Sequence, residues 1–527
     1  MIGGCFGGEV LVQYNGAESL VSTAVSRGVR ICFANPGTTE LPLVEALDAV
    51  SGMRAVLCLF EGVCSAAADG YARMSGEPAM TLLHLGPGFA NGIANFHNAR
   101  RARSPVFNVI GDHATWHRAS DPPLASDLLS LASPVSGWLR AATDSQQLAG
   151  DAGEAIAAAR TGLVATLIAP HDVQLGAAGQ RREPFESPKP SDPSPPDPAI
   201  VSKAAQQLHA GGACALFLGG AGLSERGLVA SARIASATGC RLICDTFPAR
   251  LERGGRLPPV ERLPYFPEQA LECLAGLRSI VLAGTLPPVS FFGYPGVPAQ
   301  MTDAQTLSIG LAGLADDVCT ALEQLADALG TGESVSTSGA ARPPTPAGGS
   351  ELTPENVAAV IASLQSEGAI VMDEGLTAGL PYFDAAQAAP RHTYLALTGG
   401  AIGQGLPCAT GAALACPQRP VIALQADGSG LYTLQSLWTQ ARESLNVTNV
   451  ILANGGYKIL EAEIARSGET PGPQASALTT FDPVPNWAKL AQGFGVPGAR
   501  VDDIESLARE FARATHAPGP HLIEVRM

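Results

Sequence analysis

Residues 421–430 read VIALQADGSG, an apolar run that ends in an acidic, glycine-rich turn. A helical pattern follows at 434–443, and a second apolar run, 450–453, ends in the turn NGGY at 454–457. Apolar strands without polar alternation, separated by helices, are typical of parallel sheets covered on both faces. Ligands of such sheets bind beyond the carboxyl ends of the strands. The stretch therefore predicts a parallel α/β sheet whose binding site is formed by these two turns.

The same alternation of apolar strands and helices continues along the chain. Further strand candidates are 55–60, 80–84, 106–110, 215–218 and 279–283, and further helix candidates are 66–74, 201–209 and 318–328. We therefore expect an α/β fold with three doubly wound parallel-sheet domains.

Two segments have the composition of linkers. Residues 183–198 (EPFESPKPSDPSPPDP) are too rich in proline for a helix or sheet, and residues 330–350 are rich in Gly, Ser, Thr and Pro. They predict an N-terminal domain at 1–182, a middle domain at 199–329 and a C-terminal domain at 351–527.

The composition indicates a globular protein. Of the 527 residues, 46% are hydrophobic and 15% charged, which excludes a disordered chain, and the net charge of −15 argues against nucleic-acid or anionic-membrane partners. The eleven cysteines are dispersed without a CxxC pair, which is typical of reduced thiols in a cytoplasmic protein. We also expect no signal peptide and no membrane span, because no apolar run approaches about 18 residues.

The turns after the two C-terminal strands carry candidate metal ligands. The carboxylate of Asp427, the amide oxygen of Asn454 and the backbone carbonyl of Gly456 form an oxygen-only set suited to Mg²⁺ or Ca²⁺. Glycines in these turns would let backbone N–H groups approach phosphate. The alternative is a pair of ordinary turns between strand and helix.

A second candidate is Glu61, which stands between the apolar strand 55–60 and an Ala-rich helix. At such a position the carboxyl group is partly desolvated and suited to proton exchange. The alternative interpretation is an acid at a helix N-terminus that is favoured only by the helix dipole.

These elements resemble one superfamily. Glu61 is followed by ADGYAR at 68–73, and the chain also contains NPGTTELP at 35–42, His84 with GPG at 86–88, GGAIG at 399–403 and WAKLA at 487–491. In this order they resemble thiamine-diphosphate-dependent decarboxylases and carboligases over nearly the whole chain. The greatest similarity is to benzoylformate decarboxylase and acetolactate-synthase-like proteins. The resemblance implies pyrimidine-binding, middle and diphosphate-binding domains, in that order.

The resemblance also implies a cofactor site. Asp427, Asn454 and Gly456 would hold Mg²⁺ against the diphosphate of thiamine diphosphate. Ile402 would be the bulky aliphatic residue under the cofactor, and the Gly400 carbonyl would accept from its 4′-amino group. The remaining implied cofactor contacts are Asn35, Pro36, Gly37, Glu61, Thr377, Gly428, Ser429 and Tyr457.

The implied reaction is decarboxylation of a 2-oxo acid through an enamine intermediate, with an aldehyde released or passed to an acceptor. Glu61 of a neighbouring subunit would hydrogen-bond N1′ of the cofactor. The resemblance therefore implies a homo-oligomer with active sites at the dimer interface, most simply a homotetramer. Alternatives are an acetolactate-synthase-like carboligase and a catalytically silent homologue, and the sequence does not rank the possible 2-oxo acids.

The chain departs from the family pattern at several positions. Ala426 and Ala453 replace a Gly and an Asn beside the metal ligands, whose own side chains remain. His84 and Thr38 match a pocket histidine and a substrate-binding serine of benzoylformate decarboxylase. A second pocket histidine is missing from the aligned stretch SFFGY at 290–294, and Glu463 stands where that enzyme has an aromatic residue.

Two further segments leave alternatives open. In the loop at 111–117, Asp112, His113 and His117 are either proton donors, with His113 a candidate catalytic residue, or a hydrogen-bonded lock on the loop. The glycine run at 219–222 suggests a dinucleotide site for FAD, but no second dinucleotide-binding motif accompanies it. We therefore expect a middle domain without FAD.

Overall fold

A computed structural model describes residues 13–180, 194–209, 211–332, 343–468 and 470–527. The chain forms two compact units, unit 1 (Met1–Pro190 with Thr410–Ala415) and unit 2 (Ser191–Ala409 with Cys416–Met527). Residues 183–193 of the first expected linker and 333–342 of the second lie outside the described residues. Within the described part of the chain, no helix is both long enough and apolar enough to cross a membrane.

Unit 1 contains a parallel sheet and a short antiparallel pair. Its strands are β1 (Gln13–Asn15), β2 (Ile31–Asn35), β3 (Arg54–Leu57), β4 (Ala79–Leu83), β5 (Val106–Asp112), β6 (Trp138–Ala141), β7 (Val164–Pro170) and β8 (Ala177–Gln180). Its helices are α1 (Gly16–Ser26), α2 (Leu41–Ala49), α3 (Glu61–Ser75), α4 (Leu85–Ala102), α5 (Leu128–Ala132), α6 (Leu148–Ala159) and α7 (His171–Leu175), with 3-10 turns at Thr38–Glu40 and Arg118–Ser120. Six parallel strands pair in the order β3-β2-β4-β5-β7-β6, and β1 pairs with β8.

Both faces of this six-stranded sheet are covered. Successive strand residues point to opposite faces of the sheet. On β5, Phe107 and Val109 belong to one apolar cluster, and Val106 and Ile110 belong to another. Such two-sided burial accounts for the unbroken apolar strands in the sequence. The doubly wound arrangement expected for this part of the chain is confirmed.

Unit 2 contains two further sheets. Its strands are β9 (Cys214–Leu218), β10 (Arg241–Cys244), β11 (Leu251–Arg253), β12 (Glu261–Arg262), β13 (Ser279–Ala283), β14 (Leu307–Ala312), β15 (Ala369–Glu374), β16 (His392–Ala396), β17 (Val421–Ala426), β18 (Val447–Ala453), β19 (Gly498–Val501) and β20 (His521–Arg526). Five parallel strands pair in the order β12-β10-β9-β13-β14, and seven in the order β11-β16-β15-β17-β18-β20-β19.

Helices and 3-10 turns connect these strands. They are α8 (Pro198–His209), α9 (Glu225–Thr238), α10 (Pro267–Leu274), α11 (Val318–Ala328), α12 (Pro354–Leu364), α13 (Leu376–Ala385), α14 (Gly405–Ala415), α15 (Asp427–Gly430), α16 (Ser436–Arg442), α17 (Lys458–Arg466), α18 (Pro473–Thr479), α19 (Trp487–Gly493) and α20 (Ile504–His516), with 3-10 turns at Gly220–Leu223 and Ala386–Ala388.

One strand joins parts of the chain that the sequence analysis separates. Strand β11 lies within 199–329, yet it pairs antiparallel with β16 at the edge of the seven-stranded sheet, with Leu251 opposite Tyr394 and Arg253 opposite His392. The pairing is long-range, and β11 is too short to give a periodic sequence pattern. The segment 199–329 therefore contributes to two sheets.

The predicted element positions agree closely with the structure. Strand β13 and helix α11 have the predicted bounds, whereas the strand expected at 55–60 ends at Leu57 and the helix expected at 66–74 begins at Glu61. Phe60 is extended and directly precedes α3, which places Glu61 in the first turn of the helix. The α/β fold with several parallel sheets is confirmed.

Candidate functional site

In unit 1, the carboxylate of Glu61 is buried between two helices. Glu61 is the first residue of α3 and 8% exposed, and its Oε2 accepts a 3.0 Å hydrogen bond from Nδ2 of Asn91 on α4. A Cβ atom at Gly88 would lie 3.1 Å from Oε1 of Glu61 and 3.3 Å from Cβ of His84, so this glycine leaves room for both. Glu61 and His84 therefore both lie next to Gly88. No pattern in the sequence indicates that Asn91 contacts Glu61.

The imidazole of His84 is held by a second buried acid. His84 follows β4, and its Nδ1 lies 2.8 Å from Oε2 of Glu40, which is fully buried. Glu40 also accepts hydrogen bonds from the Gly37 N–H (2.8 Å) and the Thr39 hydroxyl (2.6 Å). Because Nδ1 faces the carboxylate, Nε2 is the ring nitrogen left for a ligand. Glu40 belongs to the motif at 35–42, but its contact with His84 is not indicated by the local sequence.

The turn at 35–40 packs directly against His84. A Cβ at Gly37 would lie only 2.3 Å from Nδ1 of His84, so the ring rests on the backbone of this turn. Asn35 and Pro36 are half-buried, and Thr38 is exposed at the start of a 3-10 turn. Gly37 is thus in direct contact with His84, and the contacts expected of Asn35, Pro36 and Thr38 stay predictions.

The loop after β5 is held by carboxylates. Oδ1 of Asp112 accepts from the backbone N–H of His113 (2.7 Å), and Oδ2 pairs with Arg118 (2.8 Å). Burial raises the pKa of Asp112, and the nearby Arg118 opposes this rise. These contacts agree with the loop-lock alternative for Asp112, and its role as a proton donor stays a prediction. Nε2 of His113 is buried and has no hydrogen-bond partner among the described residues, so a role for this imidazole stays a prediction.

Backbone strain occurs at two equivalent turns. Leu85 and Leu376 have φ values of +51° and +49°, and each is the first residue of a helix that follows a strand of a parallel sheet. A left-handed conformation costs a residue with a side chain about 1–2 kcal/mol, and such strain clusters at functional sites. Leu85 follows His84, and Leu376 precedes Thr377. The strained residues are therefore next to two residues that the sequence motifs predict to be in the site.

In unit 2, the turns after β17 and β18 meet at Asp427. The side chain is 1% exposed, Oδ1 accepts from the Gly428 N–H (2.9 Å), and Oδ2 accepts from the Gly455 N–H (2.8 Å). The amide oxygen of Asn454 accepts a 3.3 Å bond from the Gly456 N–H. The convergence expected from the strand pattern is therefore present.

The chemistry of this corner fits a hard cation. Burial raises the pKa of Asp427, because neutral backbone donors only partly replace the water lost by its carboxylate. A bound cation would favour the ionised form, and carboxylate, amide and carbonyl oxygens are suitable ligands for Mg²⁺ or Ca²⁺. Across the described ranges, no group of three or more His, Cys, Asp and Glu side chains is arranged to hold a metal. The assignment of Asp427, Asn454 and Gly456 as metal ligands stays a prediction.

Packing explains why residue 428, in the turn after β17, is a glycine. A Cβ at Gly428 would lie 2.7 Å from the ring of Tyr457 and 2.9 Å from that of Phe481. The Ser429 hydroxyl donates to the Ala426 carbonyl (3.2 Å) and accepts from Gln425. Because that hydroxyl has internal partners, the contribution of 428–429 to a ligand would come from the backbone.

An aromatic ring covers the loop at 399–403. Gly400 has φ +75°, and a Cβ there would lie 2.7 Å from the ring of Phe291. Phe291 packs in turn against Phe292, with ring centroids 4.9 Å apart. Ile402, on the same loop, is half-buried. The sequence indicates only that the segment 290–294 lacks an imidazole. In the structure, Phe291 of this segment lies against the loop at 399–403.

The carboxylate of Glu463 is engaged rather than free. Its Oε1 accepts from the Tyr294 hydroxyl (2.8 Å), and its Oε2 lies 3.3 Å from Nε of Arg466. The Arg466 guanidinium lies 4.0 Å from the centroid of the Tyr294 ring. These contacts connect the aromatic segment at 290–294 to α17 and pair the Glu463 carboxylate with Tyr294 and Arg466.

Two models of one protein family match an N-terminal and a C-terminal part of the chain. Residues 14–132 match the family model "Thiamine pyrophosphate enzyme, N-terminal TPP binding domain", and residues 377–525 match the corresponding C-terminal TPP binding domain. The chain is 48% identical over 520 residues to the putative acetolactate synthase large subunit IlvX of Mycobacterium tuberculosis, covering 97% of this chain and 98% of that protein.

Two benzoylformate decarboxylases are also similar. The enzyme of Pseudomonas aeruginosa is 28% identical over 524 residues, covering 94% of this chain and 96% of its own. The structure of the thiamine diphosphate-dependent 4-hydroxybenzoylformate decarboxylase of Rhodococcus jostii RHA1 superposes with a TM-score of 0.83 at 25% identity, covering 97% of this chain and 99% of that one.

Proposed function

Because the chain belongs to the thiamine pyrophosphate enzyme family, we propose that it is a thiamine-diphosphate- and Mg²⁺-dependent lyase that decarboxylates a 2-oxo acid. The observation that carries this proposal is the bond between Asp427 and the Gly455 N–H, which sets a desolvated carboxylate beside the Asn454 amide. When bound, thiamine diphosphate supplies the sink for the electron pair left by departing CO₂.

The C-terminal turns would hold the cofactor through its metal and diphosphate. Asp427, Asn454 and the Gly456 carbonyl are the proposed Mg²⁺ ligands, because hard oxygen donors suit this cation. Gly428, Ser429 and Thr377 are the proposed diphosphate contacts, with Gly400, Ile402 and Tyr457 beside the rings. Ca²⁺ is an alternative for the metal, since its ligand chemistry is the same.

Glu61 is the proposed group that exchanges a proton with N1′ of the cofactor. Its burial and the hydrogen bond from Asn91 fix the position of the carboxylate. We propose a homo-oligomer, most simply a homotetramer, in which Glu61 of one chain serves the cofactor held by another chain.

His84 and Thr38 are the proposed contacts to the 2-oxo acid. The pairing with Glu40 leaves Nε2 of His84 for the substrate, and the Thr38 hydroxyl is exposed in the turn against which His84 packs. His113, whose Nε2 has no hydrogen-bond partner in the described part of the chain, is a further proposed proton donor.

A second candidate is an acetolactate-synthase-like carboligase with the same cofactor. The 48% identity to a protein named as a putative acetolactate synthase large subunit favours it. Such an enzyme would pass the decarboxylated fragment to a second 2-oxo acid instead of releasing an aldehyde.

The test is CO₂ release from aliphatic and aromatic 2-oxo acids with thiamine diphosphate and Mg²⁺, with products identified by mass spectrometry. Aldehyde from one acid alone would establish a decarboxylase, and product that requires an added aldehyde or second 2-oxo acid would establish the carboligase. Absence of cofactor binding would instead indicate the silent homologue, for which Ala426 and Ala453 beside the metal turns would be the first residues to examine.

A further inference from the structure

A fully buried carboxylate lies beneath the loop at 399–405. Glu374 is the last residue of β15 and 1% exposed. Its Oε1 accepts a 2.6 Å hydrogen bond from the Gly403 N–H, and its Oε2 accepts from the Gly405 N–H. A single side chain therefore fixes the backbone on both sides of residue 404.

The neighbouring strand extends this contact to the metal turn. Gln425 stands opposite Glu374 on β17 and hydrogen-bonds to it. Its Oε1 also accepts from the Leu406 N–H (3.1 Å), and its Nε2 donates to the Ser429 hydroxyl (2.5 Å). Buried polar groups thus connect the loop at 399–405 with the turn at 426–430.

The loop backbone has little freedom to rearrange around this pair. Gly403 has φ +96°, and the Thr433 hydroxyl holds its carbonyl at 2.8 Å. A Cβ at Gly405 would lie 2.2 Å from Oε1 of Gln425, so only glycine fits between the loop and the buried side chains. Burial of an acid is costly and needs compensation by such bonds.

We propose that Glu374 is a positioning residue that sets the loop carrying Gly400 and Ile402 and links it, through Gln425, to Ser429. This rests on the proposed cofactor role of those residues. Glutamate suits the position because its two oxygens accept from two converging N–H groups, whereas an amide supplies one acceptor and directs an NH₂ group at the other donor.

The test compares Glu374→Gln with Glu367→Gln, a matched control at an exposed position in the turn before the same strand. Three quantities are measured: hydrogen exchange of the peptide 399–406 without cofactor, the Kd of thiamine diphosphate with Mg²⁺, and kcat and KM for a 2-oxo acid at saturating cofactor. For Glu374→Gln we expect exchange and Kd to rise about 10- to 100-fold, the effect of losing one buried hydrogen bond. KM for the 2-oxo acid stays unchanged, and the control behaves as wild type.

Two outcomes would overturn the proposal: a folded Glu374→Gln protein with unchanged Kd, or unchanged exchange at 399–406. If that variant does not fold, Glu374→Asp, which keeps the charge but is one methylene shorter, takes its place with the same criteria. Failure of the wild type to bind thiamine diphosphate would count against the proposed function. The exchange measurement needs no cofactor, so it still decides whether Glu374 sets the loop.

Discussion

Oε2 of Glu40, the last residue of the turn at 35–40, lies 2.8 Å from Nδ1 of His84. The same carboxylate accepts from the Gly37 N–H and the Thr39 hydroxyl. In Glu40→Gln one of these donors would face an NH₂ group, which costs about 1–3 kcal/mol in unfolding free energy. We expect that loss in denaturant titration, together with a fall in kcat/KM because His84 is displaced.

Glu45→Gln, at an exposed position on the adjacent helix α2, is the matched control and should change neither quantity. A Glu40→Gln protein as stable and active as wild type would show that the carboxylate does not hold the histidine.

Glu61→Gln should fold and bind the cofactor nearly as well as wild type, because the amide keeps the volume of the side chain. Proton exchange with the cofactor should slow severely, by about 10²- to 10⁴-fold, the usual contribution of general acid–base catalysis. The measurement is the rate of CO₂ release at saturating cofactor, with Glu77→Gln, at an exposed position, as the control. Full activity of Glu61→Gln would remove this residue from the mechanism.

Asp427→Asn should abolish metal-dependent cofactor binding. The amide preserves an acceptor for one backbone N–H but removes the negative charge that a divalent cation needs. Isothermal titration with thiamine diphosphate, with and without Mg²⁺, measures the effect, and Asp384→Asn, exposed on α13, is the control. Unchanged affinity in Asp427→Asn would refute the metal assignment.

The stability of the cofactor-free protein should carry a signature of Glu374. Burial raises the pKa of this carboxyl to about 7, well above its value in an unfolded chain. Between these pKa values the folded state retains a proton that the unfolded state has lost. The contribution of Glu374 to the free energy of unfolding therefore falls by about 3 kcal/mol as pH rises from about 4.5 to 7.

Glu374→Gln cannot ionise and lacks this pH dependence. The unfolding free energy of the variant relative to wild type should thus be more favourable at pH 8 than at pH 5. A difference that stays constant over this range would contradict the burial argument.

Gly400→Ala should weaken cofactor binding for two separable reasons. Its φ of +75° costs alanine about 1–2 kcal/mol, and the new Cβ would meet the ring of Phe291 at 2.7 Å. The double variant Gly400→Ala/Phe291→Ala removes the clash and should recover part of the lost affinity, leaving the backbone cost. If the double variant binds no better than Gly400→Ala alone, the ring does not set the position of this loop.

The sequence predicted the features that follow from local patterns. Unbroken apolar strands gave the parallel sheets, and the convergence of strand ends placed Asp427 next to the turn that contains Asn454. Glu61 was found because it stands between a strand and a helix. Each of these inferences needs only neighbours in the chain and the geometry of a parallel sheet.

The remaining features depend on contacts between distant residues. Nothing in the local sequence indicates that Asn91 donates to Glu61, or that Glu40 pairs with His84. The sequence shows that Glu463 replaces an aromatic residue, but it does not indicate that the Tyr294 hydroxyl, 169 positions away, donates to one of its oxygens. Pairings of this kind appear only once the fold is known.

The antiparallel pairing of β11 with β16 limits how this protein can be recombined. Chimeras that exchange the segment 199–329 for that of a relative would also replace the outermost strand of the C-terminal sheet. If the incoming strand did not match β16, the N–H and C=O groups along that edge would be exposed and open to association with other chains. Recombination boundaries should therefore keep residues 251–253 together with 392–394, because this short strand within 199–329 completes the edge of the C-terminal sheet.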